Sequence, residues 1–130
     1  LEHISEDDNL IKLFYNSLRD KGKIKVFVPA FQILFSKNDE IVGHCRRYEK
    51  VDLVNLIEKN NFKITKCIYF DSLGFLMAFI YKHINDSGQI NPMFLKLYDR
   101  IIFPISIFLD KCFFNRIFGK NLLLEAVKLG

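Results

Sequence analysis

Leu10, Leu13, Phe14 and Leu18 recur at helical spacing behind an acidic start at Glu6, Asp7 and Asp8, and this spacing predicts an amphipathic helix. Ser5 with Asp8 has the form of a capping box, while Arg19, Lys21 and Gly22 suit the helix end. KIKVFVP, residues 23–29, then alternates: Ile24, Val26 and Val28 share one face, Phe27 takes the other, and Pro29 closes a strand. Residues 30–48 show no sustained period and predict a long loop with at most one helical turn, a length that usually goes with function or disorder. From Glu49, Leu53, Val54, Leu56 and Ile57 return to helical spacing, with Asn60 and Asn61 as the stop. FKITKCIYF, residues 62–70, sets Ile64 and Ile68 against Lys63 and Thr65 as a second strand. Helix, strand, helix, strand predicts an α/β fold.

Two tracts that are apolar nearly all round follow, LGFLMAFIY (73–81) and IIFPISIFL (101–109), separated by the turn-rich NDSGQINP. Each is far shorter than the ~20 residues that span a bilayer, so neither is expected to be transmembrane. Burial between layers is the expectation for them; the alternative is a helix pair lying along a membrane interface or a hydrophobic acceptor. Pro104 should kink the second helix or begin a new one, because its ring clashes with a preceding turn. NLLLEAVKL (121–129), after Gly119, reads as a closing strand.

Composition changes this picture in three ways. At 130 residues, half of them hydrophobic and fourteen of them phenylalanine, the chain is not disordered and carries more apolar surface than a small core absorbs. The net charge of +4 comes from 19 basic and 15 acidic residues interspersed along the chain, which argues against nucleic acid but allows an anionic membrane surface. Cys45, Cys67 and Cys112 form no C-x-x-C pair, so neither a disulfide framework nor a thiolate zinc site is expected and a reducing cytosol suits the chain. His83 has no ligand-type partner at helical spacing, and with three histidines in all no metal is expected. A basic head followed by an apolar core is missing at the start, so no signal peptide is expected. No P-loop and no G-x-S-x-G elbow occur, and Cys45 beside His44 is not a nucleophilic pair, since neighbours along a loop point apart.

Four collinear blocks resemble class I S-adenosylmethionine-dependent methyltransferases. LEHISEDD resembles the end of their fourth strand and the acidic turn after it, and LRDKGKIKVFVPAF the passage into their fifth strand, with Asp20-Lys21 in place of the usual Pro-Gly pair. NDEIVGHCRRYEKVDLVNLIEKNNFKI is similar to the D-E-x-x-G-H-x-R-R-Y segment, helix and sixth strand of one branch, and FGKNLLLEAVK to the last strand. The resemblance implies an α/β fold: a partial Rossmann-like sheet of the last three strands, the final one antiparallel between the other two, with an inserted pair of apolar helices. On this reading residues 1–130 are a single partial methyltransferase domain with its helical insertion at about 72–118. The family's glycine-rich donor turn has no counterpart, because the six glycines are isolated. S-adenosylmethionine is therefore expected to bind only with the missing upstream half, with Glu2 and His3 contributing to its site. The strand at 23–28 should expose an edge.

For the site, the resemblance places His3 at the carboxyl end of a central strand, where open α/β sheets bind ligands, so His3 is one candidate general base and His44 the other. A histidine that closes the strand, and a loop histidine bonded to backbone, are the respective alternatives. Arg46 and Arg47 either read an anionic head group on the acceptor or pair with Asp39 and Glu40 to pin the loop. Tyr48 either meets the acceptor or staples the next helix. The expected function is methyl transfer to a small or lipid-linked acceptor, in a chain inactive alone; the alternative is a non-catalytic membrane-surface or protein-interaction module built on the same fold. Expected partners are that acceptor, a membrane surface and a second copy through the sheet edge, with no nucleic acid, in the cytoplasm or peripheral to the inner membrane face.

Overall fold

The computed structural model describes residues 1–84 and 88–130, so Asn85, Asp86 and Ser87 of the turn-rich segment lie outside the described residues. Helix α1 (Asp7–Ser17) leads to strand β1 (Lys23–Pro29); a 3-10 turn (Gln32–Leu34) and short helix α2 (Lys37–Ile41) precede α3 (Lys50–Glu58) and β2 (Phe62–Phe70). Helices α4 (Ser72–Ile84), α5 (Pro92–Leu97) and α6 (Phe103–Cys112) then intervene before β3 (Asn121–Lys128). The sheet has the order β1-β3-β2, with β3 antiparallel to both neighbours, Val26 opposite Leu124 and Tyr69 opposite Leu122. A three-stranded antiparallel sheet with flanking helices is consistent with part of a Rossmann-like fold.

Alternation puts one face of each strand inside. Val26 and Val28, Leu122, Leu124 and Ala126, and Phe62 and Tyr69 meet Ile11 of α1 and Leu53, Leu56 and Ile57 of α3 in one core. Burying side chains of this kind contributes about 1.5–3 kcal/mol each. Asn61 at φ 62° turns the chain from α3 into β2, as its place after the helix suggests. The opposite face is only partly covered: Phe27 is 53% exposed, with its ring edge-on to Phe70 at 5.9 Å between centroids, while the 3-10 turn Phe114–Arg116 lies against β2.

The Ser5–Asp8 capping box does not form. Glu6 is the N-cap without a side-chain hydrogen bond, because the Asp8 carboxylate sits instead 2.6 Å from Lys12, 3.1 Å from Lys59 and 2.9 Å from the Asn60 amide. The same S-x-x-D pattern caps α2, where Asp39 accepts from the Ser36 backbone N–H at 3.0 Å.

Burial between layers also fails as a description of the apolar tracts. Leu76, Phe79 and Ile80 of α4 face outward, and so do Met93, Leu97, Ile101, Ile105 and Phe108, while the fully enclosed residues of α6 are Ser106 and Asp110. The reason lies at the start of α4, whose orphan N–H groups need acceptors. Asp110 accepts from the backbone of Asp71 (2.6 Å) and Ser72 (3.2 Å), Ser106 Oγ from Leu73 (2.9 Å), and Asp71 caps Gly74 (3.0 Å). The Tyr98 hydroxyl donates to the other Asp71 oxygen. Polar groups thus hold the helices together and turn their apolar faces out. A π turn (Tyr98–Ile102) joins α5 to α6, and Pro104 falls in the first turn of α6, where a missing N–H costs nothing. No helix among the described residues is long and apolar enough to cross a membrane.

Asp110→Ala leaves two enclosed N–H groups without acceptors and should destabilise the chain by about 2–4 kcal/mol in urea denaturation, with loss of helical circular dichroism. An unchanged midpoint would show that the α4 cap is satisfied otherwise.

Candidate functional site

The segment 36–48 folds around one carboxylate. Asp39 is fully buried and accepts from Ser36 Oγ at 3.2 Å, from His44 Nδ1 at 2.7 Å and from Arg47 Nε and Nη2 at 3.0 Å each. Gly43, at φ 80°, lets the chain reverse so that His44 N–H reaches the Asp39 carbonyl at 2.8 Å and its ring the carboxylate. Desolvation raises the Asp39 pKa, but the His44 and Arg47 hydrogen bonds outweigh it and hold the carboxyl below its ordinary 3.8.

The same turn fastens the chain start. His3 Nδ1 donates to the Gly43 carbonyl at 3.0 Å, and Cys45 N–H donates to the Glu2 carbonyl at 2.7 Å. The His3 and His44 rings lie edge to face at 4.8 Å. With Nδ1–H donated in both rings, each Nε2 is the basic nitrogen, which is the arrangement a general base requires.

Arg46 and Tyr48 are drawn elsewhere. Arg46 donates to Asp7 at 2.9 Å and to the Ser5 carbonyl at 2.7 Å, and the Tyr48 hydroxyl donates to the same Asp7 oxygen at 2.9 Å. Burial first, then Asp7, pushes the Tyr48 phenol above its ordinary range, so it stays a neutral donor. Of the two arginines only Arg47 meets Asp39, and Glu40 is exposed. The structure thus gathers Asp39, His44, Arg47, Glu2 and His3, and sets Arg46 and Tyr48 on the α1 side.

Arg47 also lines a cavity with about 90 Å³ of free space between the 34–38 segment and helices α4 and α5. Met77, Ala78, Tyr81 and Phe94 form its apolar wall, and Lys120 lies at its polar end. Lys120 Nζ sits 5.5 Å over the Tyr98 ring and makes no hydrogen bond to the described residues. Burial pushes this ammonium below the usual lysine range, with Asp71 acting in the opposite sense. Sequence reasoning singled out neither Lys120 nor its neighbours Tyr98 and Asp71; the one signal was a charged residue directly ahead of the closing strand.

No family model and no curated protein matches the chain. A solved structure described as a "putative methyltransferase" from Bacillus halodurans matches with a TM-score of 0.56 and 14% identity. The match covers 99% of this chain and 61% of that one, so the chain spans about three-fifths of its length. At this identity the likeness is one of fold. The described residues do not assemble a site for S-adenosylmethionine. The glycines are isolated, and the described cavities are lined by neither Glu2 nor His3.

Asp39→Asn should cost about 2–4 kcal/mol at pH 7, since Arg47 is left enclosed without its counter-charge. The folded pKa is depressed, so the carboxylate's contribution is complete above the unfolded value of 3.8 and is lost as pH falls through the lower folded value. Urea midpoints of the two proteins should differ by a constant amount from pH 7 to 5 and converge in more acid solution; a gap that widens there would contradict the assignment.

Proposed function

We propose that this chain is the acceptor-side part of an S-adenosylmethionine-dependent methyltransferase, acting on a small or lipid-linked acceptor and inactive without the donor-binding half. The observation that carries the reading is the fold likeness over 99% of the chain, with the β1 edge of the sheet left unpaired. Within it, the enzyme's work is alignment and proton removal, because an activated methyl group needs an in-line nucleophile more than further polarisation. His44, oriented by Asp39, is the base, with His3 beside it. Arg47 and Lys120 take an acidic group of the acceptor, Lys120 having hydrogen-bond capacity free, and the wall of Met77, Ala78 and Phe94 takes its apolar part. Glu2 and His3 lie on the side where the donor would arrive.

Calorimetry with S-adenosylmethionine decides. The chain alone should give no heat of binding, and the longer protein that includes the upstream coding sequence should bind the donor at micromolar concentrations. Absence of binding in that longer protein would remove the enzyme reading.

A second reading is favoured by the outward stripe Met93, Leu97, Ile101, Ile105 and Phe108, which follows helical spacing and is bordered by Lys96, Arg100 and Lys111. On this reading the insertion lies on an anionic membrane surface. Vesicles rich in phosphatidylserine should then co-sediment the chain, and Ile105→Glu with Phe108→Glu should abolish this while leaving the urea midpoint unchanged; equal sedimentation of both proteins would exclude the stripe. The free β1 edge further suits pairing with a second copy, which would appear as a dimer in light scattering.

A further inference from the structure

The turn that fastens the chain start brings three ligand-type side chains to one point. Ligand atoms of Glu2, His3 and His44 all lie within 4.8 Å of one another. Both imidazoles are held at Nδ1, that of His44 by the Asp39 carboxylate at 2.7 Å and that of His3 by the Gly43 carbonyl at 3.0 Å. Metal-bound histidines are fixed in this way, because a hydrogen bond at one nitrogen sets the ring's orientation and raises the basicity of the other. Glu2 Oε1 lies 3.8 Å from His3 Nε2.

We propose that Glu2, His3 and His44 form a binding site for a divalent transition ion of the zinc type. Two imidazoles with one carboxylate match the ligand set of zinc sites that keep a position open, whereas magnesium and calcium favour oxygen ligands throughout. Around an ion at ~2.1 Å from each ligand, the three atoms close to about 3.4 Å apart. His3, whose side chain is 52% exposed, has room for that movement, while Glu2 and His44 are largely enclosed. The exposed side of the cluster leaves coordination positions for water or for an oxygen of a bound molecule, whose proton such an ion makes easier to remove. Sequence spacing hid the site, since His3 and His44 are brought together only by the Gly43 and Cys45 contacts. The proposal concerns ion binding and stands whether or not the chain transfers methyl groups.

Titration with zinc by calorimetry, and with cobalt(II) by visible absorption, tests it at neutral pH. One ion per chain is expected. His3→Ala should weaken binding by about 10-fold or more without moving the urea midpoint, and His44→Ala should weaken binding as much while also lowering the midpoint, because Asp39 loses a hydrogen bond. Cys45→Ser should leave affinity within about 3-fold, which separates the cluster from the neighbouring exposed thiol. If His44→Ala does not fold, His3→Ala and Glu2→Gln decide. No binding, binding unchanged by His3→Ala, or binding lost with Cys45→Ser would each overturn the site.

Discussion

The insertion of β3 between β1 and β2 is the constraint on which everything else rests. Because β3 is the last strand, the central position of the sheet is filled by residues 121–128, and β1 and β2 each pair with β3, whose Leu122, Leu124 and Ala126 lie in the core between them. That arrangement brings the carboxyl end of β1 beside the amino end of β3. There, Ala30 N–H donates to the Lys120 carbonyl at 2.9 Å, and Lys120 N–H to the Asp71 carbonyl at 2.9 Å. Lys120, Asp71 and the segment beginning at Phe31 therefore meet at one end of the sheet, and the cavity and the Asp39 cluster are built on that end. Gly119 makes the passage: a Cβ there would lie 2.6 Å from the Phe70 carbonyl oxygen.

The strands and the two core helices were legible in the sequence because each presents one face to a single core. Val26 and Val28, and Leu122 and Leu124, alternate as half-buried strands should; Leu53, Leu56 and Ile57 repeat as one helix face should. The helical insertion was legible as helix but not as packing. Apolar residues on all sides of α4 and α6 read as an interior pair, whereas what holds those helices is Asp110 and Ser106, spaced four apart, reaching the start of α4. A polar pair four apart inside an apolar tract was the available signal.

Within the site, the D-E-x-x-G-H-x-R-R-Y stretch marked the right place without assigning its contacts. S-x-x-D occurs at both Ser5 and Ser36, and local pattern cannot choose between them; Lys12, Lys59 and Asn60 draw Asp8 away, whereas Asp39 keeps the Ser36 N–H while also accepting from His44 and Arg47. Likewise adjacent arginines look equivalent in sequence, yet Arg46 and Arg47 point to Asp7 and Asp39 respectively. Lys120 was invisible because its neighbours Asp71 and Tyr98 come from the link between β2 and α4 and from the π turn after α5, which only the fold brings together.

The proposed function makes the chain one part of a larger fold whose remaining portion docks on β1. Since Ala30 N–H points to β3 and Phe31 N–H to Tyr48, alternation turns the amides of Lys25 and Phe27 toward the open edge. Hydrogen exchange at these two amides tests it most directly. They should exchange rapidly in the dilute chain and be protected by at least ~100-fold in the longer protein, where a parallel neighbour accepts from them. Equal, rapid exchange in both proteins would contradict the account.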